Sequence, residues 1–216
     1  METVYERIIL GIDPGTQVMG FGIIGIRGKQ LKVITLGVLH QRKTDDHFLR
    51  LKKIFEHTLQ LIETYAPDEL AIEAPFFGKN VQSMLKLGRA QGIAMAAGLT
   101  RELPIFEYSP KRIKQSITGN GNASKEQVAD MLRRMFKFES TTELLDATDG
   151  LAAAVCHYFQ GSMDTLESNH SKVIAKKSTG KITVESNGSL KKGTKKGRTA
   201  TWSNFVSENP DRIQAK

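Results

Sequence analysis

Four acidic residues lie beside strongly apolar segments of this sequence: Asp13, Glu73, Asp146 and Asp149. Asp13 and Glu73 each end a short run of mainly apolar residues, and a proline follows within two positions. Such runs predict buried strands, which first meet solvent at their ends. If the two strands are parallel neighbours, both carboxylates lie at the edge of the sheet where open α/β folds hold ligands.

The other two acids are three residues apart in a predicted helix, which places Asp146 and Asp149 on one helix face. Their neighbours from Leu144 to Val155 are mostly apolar, so two like charges here are destabilising unless a cation compensates them. Four carboxylates without a histidine or cysteine cluster form an oxygen-only site, which suits Mg²⁺ or Mn²⁺ rather than zinc.

Each of these residues also has a simpler interpretation. Asp13 precedes Pro14-Gly15, and an aspartate at a strand end often only bonds the amides of the turn. His157 follows an apolar helical run and is expected to be a core or rim residue, since the five histidines have no metal-ligand spacing. Cys156 is the only cysteine, so it forms no internal disulfide and is expected to be buried, which fits a reducing cytoplasm.

Composition divides the chain into two parts. Residues 1–161 hold 20 basic and 18 acidic residues, whereas residues 162–216 hold 11 and 5. The excess of positive charge indicates an anionic partner such as nucleic acid. No apolar run reaches the roughly 18 residues of a membrane span, and the first residues lack a signal-peptide pattern. We therefore expect a cytoplasmic protein with no membrane partner.

The order of patterns predicts one α/β domain. Strands are expected at 7–13, 19–26 and 31–39 as an antiparallel meander, and again at 69–73 and 104–108. A first helix of about 18 residues is expected from Phe48 to just before Pro67. Further helices are expected at 80–102, 109–117, 124–136 and 142–159. The helix at 80–102 is rich in glycine and alanine, which allows close approach to the sheet or to a second subunit.

The segment 162–216 is predicted to be a largely disordered basic tail. Its densest charge lies in Lys191, Lys192, Lys195, Lys196 and Arg198, which are expected to neutralise DNA phosphates without sequence preference. The apolar residues within 202–206 suggest a short docking element, and a tail without any role is the alternative.

Several motifs follow one another in a specific order along the chain. They are Gly11-Ile12-Asp13-Pro14-Gly15, Ala71-Ile72-Glu73, Leu85-Lys86-Leu87-Gly88, Phe106-Glu107-Tyr108, Lys125 with Gln127-Val128, and Asp146-Ala147-Thr148-Asp149 with Leu151-Ala152. Taken together, these motifs resemble the RuvC family of bacterial Holliday junction endonucleases. The resemblance covers residues 7–160 and includes all four acids. The family resemblance implies a ribonuclease H-like mixed five-stranded sheet flanked by helices, with a nuclease domain at 1–161.

The resemblance also implies a mechanism. Asp13, Glu73, Asp146 and Asp149 would bind two Mg²⁺ ions, for which Mn²⁺ could substitute, and water would attack a DNA phosphodiester in line. The expected partners are four-way junction DNA, a second copy of the chain in a homodimer, and the RuvA–RuvB branch-migration complex. The activity implied is paired, symmetric incision of the junction during homologous recombination and DNA repair.

The resemblance also implies DNA contacts at three positions. Lys114 and Lys125 correspond to basic residues near the scissile phosphate, and Phe76 to an aromatic residue that contacts bases at the junction centre. This chain has Ala74-Pro75 before Phe76, where many relatives have a bulkier polar residue after the glutamate. The neighbouring Phe77 is expected to pack in the core. Lys86 and Arg89, like Lys79, fit either phosphate contacts or a solvated helix face.

Two other classes of protein share some of these features. Actin-like kinases and ATPases also have a meander with an aspartate after the first strand, but they need a second such domain and a second phosphate-binding hairpin. A non-catalytic nucleic-acid-binding module with the same fold would be expected to lack one or more acids, and none is missing here.

Overall fold

The computed structural model describes the backbone of residues 4–75, 80–138 and 144–177. The chain divides into one unit of residues 1–174 and a second of residues 175–216, and the fold described below belongs to the first. Its elements are β1 (Arg7–Asp13), β2 (Val18–Arg27), β3 (Gln30–His40), α1 (His47–Tyr65), β4 (Glu69–Glu73), α2 (Val81–Leu99), β5 (Ile105–Tyr108), α3 (Pro110–Thr118), α4 (Lys125–Phe136) and α5 (Leu144–Lys177).

The five strands form one mixed sheet in the order β3-β2-β1-β4-β5. β1, β2 and β3 are antiparallel neighbours, which confirms the predicted meander. β4 pairs with β1 in parallel, with Ile12 opposite Ile72, and β5 pairs with β4 in parallel. The carboxyl ends of β1 and β4 therefore meet at one edge of the sheet.

Each face of the sheet has its own hydrophobic core, because successive strand residues point to opposite faces. Leu10 and Ile12 of β1 pack with buried residues of α1 and α2 on one face. Ile9 packs with α3, α4 and α5 on the other face. The continuous apolar run in β1 is explained by this two-sided burial.

The helix starts follow the capping chemistry of the sequence. Asp46, Asn80 and Ser109 accept a hydrogen bond from a backbone amide in the first turn of α1, α2 and α3 respectively. Ser124 and Gln127 form the predicted capping box at the start of α4. These caps fix the first turn of the helices that surround the carboxyl edge of the sheet.

The last helix is longer than predicted. α5 continues to Lys177, whereas the prediction ended this helix near residue 159. After Gly161 the helix contains neither proline nor glycine, so nothing in it stops a helix. The rest of the tail lies outside the described residues, and the division of the chain at residue 161 stays a prediction.

The small residues of α2 lie on two faces of the helix, one packed against the rest of the fold and one open. Ala90, Ala94 and Ala97 are buried, and a side chain at Gly98 would press on Leu70 of β4. A side chain added at Gly88 or Gly92 would instead meet nothing within 4 Å. Among the described residues, no helix is both long and apolar enough to cross a membrane.

Candidate active site

Asp13 and Glu73 close the two central parallel strands. Because β1 and β4 pair in register up to Ile12 and Ile72, the next residue of each strand is an acid at the carboxyl edge. Both acids line a cleft of about 270 Å³. The predicted convergence of these two carboxylates is therefore confirmed by the sheet register.

The start of α5 reaches the same edge because its backbone packs directly on β1 and β2. A Cβ atom added at Gly11 would overlap Gly150 of α5, and one added at Gly20 would overlap the carbonyl of Asp146. Gly20 pairs with Asp13 across the β1–β2 ladder. The glycines thus permit a close approach that brings the acidic first turns of α5 beside Asp13.

Lys125 is the cation that the two helical acids require. Its ammonium nitrogen lies 2.6 Å from Oδ1 of Asp146 and 2.6 Å from Oδ2 of Asp149. Burial alone would lower the pKa of Lys125, but hydrogen bonds to Asp146 and Asp149 outweigh it and raise the pKa. The sequence predicted a compensating cation without identifying it, since Lys125 is distant in sequence and begins a different helix.

The carboxylates at the strand ends remain without such compensation. Burial, and then repulsion from Asp149, raises the pKa of Asp13 to about 6. Burial, and then the charge of Asp13, raises the pKa of Glu73 to about 8. Within the described part of the chain, neither side chain takes part in a hydrogen bond or ion pair. Their mutual repulsion makes the edge a site for added positive charge.

Asp149 and Lys114 complete the lining of this cleft. Burial raises the pKa of Asp149, although its hydrogen bond to Lys125 acts in the opposite direction. Lys114 lies on α3, and its charge lowers the pKa of Glu73 and of Asp149. Asp146 is near enough to raise the pKa of Asp13 but does not line the cleft itself.

Gln91 is a positioning residue that the sequence analysis missed. Its buried side chain donates from Nε2 to Glu107 at 2.8 Å and, more weakly, to the backbone carbonyl of Glu73 at 3.5 Å. It thereby ties α2 to the carboxyl ends of β4 and β5. The available signal was a glutamine placed between the small residues Ala90 and Gly92 in the middle of α2.

The donor set fits a hard divalent cation, because each carboxylate offers oxygen ligands. Among the described residues, no three acidic, histidine or cysteine side chains lie close enough together to hold one ion. The contacts to Lys125 draw Asp146 and Asp149 towards the ammonium group instead. Mg²⁺ commonly takes only one or two carboxylates along with water and phosphate oxygens, so pairs of these acids are sufficient ligands.

The other candidate residues fall into three groups. Lys114 and Lys125 line the cleft, as expected of contacts to a scissile phosphate. Lys86 and Arg89 are exposed on α2 and lie outside this cleft. The predictions for Phe76, Phe77 and Lys79 lie outside the described residues.

The two residues expected in the core are buried there. Cys156 is fully buried, and its pKa is raised by that burial. His157 is 4% exposed, stacks on Phe106 and contacts Glu69 and Tyr108. These findings confirm the structural interpretation of both residues over a role as metal ligands.

A mixed sheet of this order, with acids at the carboxyl edge and on the helix that crosses it, defines the ribonuclease H-like class of proteins. Within that class, the sequence model of the family described as "Crossover junction endodeoxyribonuclease RuvC" matches residues 9–157. The chain belongs to the RuvC family of endodeoxyribonucleases. Membership of this family, together with its fold, implies dependence on a divalent metal ion.

Individual relatives agree with this assignment. The chain is similar to the crossover junction endodeoxyribonuclease RuvC of Cytophaga hutchinsonii, with 53% identity over 97% of this chain and 89% of the relative. The corresponding protein of Bacteroides fragilis is 49% identical over 99% of this chain and 100% of the relative. Among solved structures, T. thermophilus RuvC in complex with a Holliday junction substrate has a TM-score of 0.68 and 27% identity, covering 74% of this chain and 98% of that one.

Proposed function

We propose that this protein is a Holliday junction resolvase, which makes paired, symmetric incisions in four-way DNA junctions during homologous recombination and DNA repair. The observation that carries this proposal is the cleft where Asp13, Glu73 and Asp149 converge with two lysines. Membership of the RuvC family and the likeness to a junction-bound RuvC structure support the choice of substrate.

The proposed reaction is hydrolysis of a DNA phosphodiester that depends on two Mg²⁺ ions per subunit, for which Mn²⁺ can substitute. When bound, the ions supply an activated water and stabilise the leaving 3′ oxygen. Asp13, Glu73, Asp146 and Asp149 are the proposed ligands. Burial and carboxylate repulsion raise the pKa of Asp13 and Glu73, and a bound cation would relieve that repulsion. At Asp146 and Asp149 a metal ion would take the place of the ammonium group of Lys125.

The lysines of the cleft have a different proposed role. Once metal ions compensate the acids, the ammonium group of Lys125 is free to contact a phosphate oxygen of the substrate. Lys114, which lines the same cleft from α3, is proposed to contact the same strand. Both contacts would orient the scissile phosphate at the carboxyl edge of the sheet. Phe76 is proposed to contact bases at the junction centre, and Arg89 to contact phosphate.

A homodimer is proposed because paired incisions in a two-fold symmetric junction need two catalytic clefts, one from each subunit. The exposed face of α2 is the candidate interface. Val81, Leu85 and Leu99 are 64%, 51% and 64% exposed, and Gly88 and Gly92 between them leave room for a close partner. The first four of these positions, from Val81 to Gly92, repeat at intervals of four, three and four residues, and Leu99 follows seven residues later, as in a helix–helix contact.

Further partners follow from the same family and from the charge of the chain. The RuvA–RuvB branch-migration complex is a proposed partner, and the cytoplasm is the proposed location. The basic segment 162–216 is proposed to add contacts to DNA backbone phosphates that are not sequence-specific.

The test is a cleavage assay on the purified protein. With Mg²⁺, we expect symmetric nicks in a four-way junction and little or no cutting of a linear duplex with the sequence of one arm. Asp13→Asn serves as the inactive control. Equal cutting of both substrates, or cutting by Asp13→Asn, would show that the activity is not junction resolution at this site.

A further inference from the structure

A second cleft opens near the carboxyl edge of the sheet, on the face covered by α1 and α2. Its volume is about 430 Å³, larger than that of the catalytic cleft. Three segments line it: the turn after β1, the start of α1 and the first two turns of α2. They contribute Thr16 and Gln17, then His47 and Arg50, then Ser83 and Lys86. We call it the cationic cleft.

Arg50 is held in place within this cleft but is not fully paired. Its guanidinium group donates to the backbone carbonyls of Lys43 at 3.0 Å and Arg42 at 3.3 Å. Its Nε atom is buried and has no hydrogen-bond partner among the described residues. A buried donor without a partner is costly and rare, so an acceptor is expected to occupy the space beside it.

Two neighbours of Arg50 also lack a partner. Nε2 of His47 is buried and has no hydrogen-bond partner in the described part of the chain. Lys86 faces the cleft from α2 and forms no ion pair with any described residue. Arginine and lysine together supply positive charge, and the buried Nε of Arg50 supplies a donor to an anionic oxygen.

Among the described residues that line the cleft, the one acidic residue is already neutralised by an ion pair. Asp45 binds the ammonium group of Lys53 at 2.6 Å and accepts from the backbone amide of Arg42 at 3.2 Å. Its pKa is lowered first by the hydrogen bond from Lys53, so the ion pair persists at neutral pH. The charge left available to a ligand is therefore that of Arg50 and Lys86.

The cleft lies close to the catalytic site along the chain. Thr16 is three residues after Asp13, so their Cα atoms are at most about 11 Å apart, since consecutive Cα atoms are about 3.8 Å apart. The two clefts open on different faces of the sheet: α3, α4 and α5 line the catalytic one, whereas α1 and α2 line the cationic one. The Thr16 side of the cationic cleft therefore lies within about 11 Å of Asp13, measured between Cα atoms.

We propose that the cationic cleft binds a phosphate group of the DNA backbone a few nucleotides from the scissile position, with Arg50 and Lys86 as its charged contacts. This assignment rests on the proposed function, because it takes the strand in the catalytic cleft to be DNA. The cleft fixes the register of that strand, whereas the carboxylates cut it. No base is contacted, so the site acts alike on every sequence.

The first experiment measures binding of a four-way junction to the full-length protein in EDTA, from about 50 to 200 mM salt. Lys86→Gln should weaken binding by about tenfold, as expected for loss of one charged hydrogen bond, and should lower the salt slope by about one. Lys29→Gln is the matched control, because Lys29 is exposed in the β2–β3 turn at the opposite edge of the sheet. Equal affinities for Lys86→Gln and the control would overturn the proposal.

The second experiment identifies the phosphate that is bound. Single neutral methylphosphonates are placed at successive positions on either side of the cut. One position should weaken binding by the wild-type protein about tenfold and have no further effect on Lys86→Gln. If the loss of affinity caused by Lys86→Gln and the loss caused by the methylphosphonate simply add at every position, the proposal is overturned. Arg50→Gln should show the same coupling, but its contacts to backbone carbonyls make Lys86→Gln the decisive variant.

The source of the phosphate is tested separately. Inorganic phosphate is added in EDTA at constant ionic strength, and the melting temperature is compared with that in chloride. Stabilisation of the wild type but not of Lys86→Gln, together with additive methylphosphonate effects, would mean a site for free phosphate and would overturn the DNA assignment. Cutting with Mg²⁺ is scored in parallel on the wild type. If the wild type cuts the junction normally but Lys86→Gln shows no coupling to any methylphosphonate, only this inference is contradicted. If the wild type does not cut the junction, the proposed function is contradicted.

Discussion

Nζ of Lys125 lies 2.6 Å from Oδ2 of Asp149, joining the first turn of α4 to the second turn of α5. The same nitrogen contacts Asp146, so one lysine balances two like charges on one helix face. In the absence of metal this lysine therefore holds the carboxylate pair together.

Loss of Lys125 should destabilise the metal-free protein. We expect Lys125→Gln to cost about 1 kcal/mol, because the ion pairs are partly exposed but the repulsion left behind is not balanced. For a domain of this size that lowers the melting temperature in EDTA by about 2–4 °C. Mg²⁺ should reverse most of the loss. Lys52→Gln, which breaks only an exposed pair with Glu56, should have no such effect.

The four acids should differ in their importance for cleavage. Asp13→Asn, Glu73→Gln and Asp146→Asn should each abolish cutting of a four-way junction, whereas Asp149→Asn should leave some activity. Junction binding measured in EDTA at neutral pH should be unchanged or stronger for the three aspartate variants, because each removes a charge that repels phosphate. Glu73→Gln should leave binding unchanged, since the pKa of Glu73 is about 8 and the carboxyl group is largely protonated under these conditions. Cutting by Asp13→Asn at close to the wild-type rate with Mg²⁺ would remove Asp13 from the site.

Stability without metal should fall as pH rises, because folding raises the pKa of both Asp13 and Glu73. The folded state binds more protons than the unfolded state above about pH 4, so stability is lost as pH rises through the folded values. These folded pKa values are about 6 for Asp13 and about 8 for Glu73. Calorimetry in EDTA should show that Glu73→Gln is more stable than the wild type near pH 8 and similar to it near pH 5.

A matched substitution separates this effect from a general loss of charge. Glu56→Gln neutralises an exposed carboxylate on α1 and should leave the pH profile of the melting temperature unchanged. A constant difference between Glu73→Gln and the wild type from pH 5 to 8 would contradict the assigned pKa of Glu73.

The proposed dimer should depend on the exposed face of α2. Leu85→Glu should shift sedimentation from dimer to monomer at micromolar concentration, because two copies of a charge would face each other in a symmetric interface. Met131→Glu on α4, where the residue is 38% exposed, is the control and should stay dimeric. A wild-type monomer that still makes paired cuts would argue against the dimer.

The tail should affect affinity but not the position of the cuts. Residues 178–216 hold eight basic and three acidic residues, so truncation after Lys177 removes charge while leaving α5 whole. The slope of log affinity against log salt should become less steep, and the cleavage sites should stay the same. An unchanged slope would mean that the tail does not touch DNA. A shifted cleavage site would mean that the tail helps to position the junction.

The sequence by itself determined the strands, most helix starts and the acids of the candidate site. Local chemistry was sufficient there: β1 is a continuous apolar run that ends in Asp13-Pro14-Gly15, and Ser124 and Gln127 have the spacing of a capping box. The end of α5 was missed because a polar, charged segment without proline or glycine is compatible with either a helix or a disordered tail.

Only the tertiary structure decided which distant residues meet. Lys125 faces Asp146 and Asp149, Gln91 is tied to Glu73, and Arg50 shares a cleft with Lys86. None of these pairs has a local signature, because each joins elements far apart in the chain whose approach depends on packing. The contact of Gly20 with the backbone of α5 shows the reason: the absence of a side chain on one strand sets how closely a helix, and every charge on it, approaches the sheet.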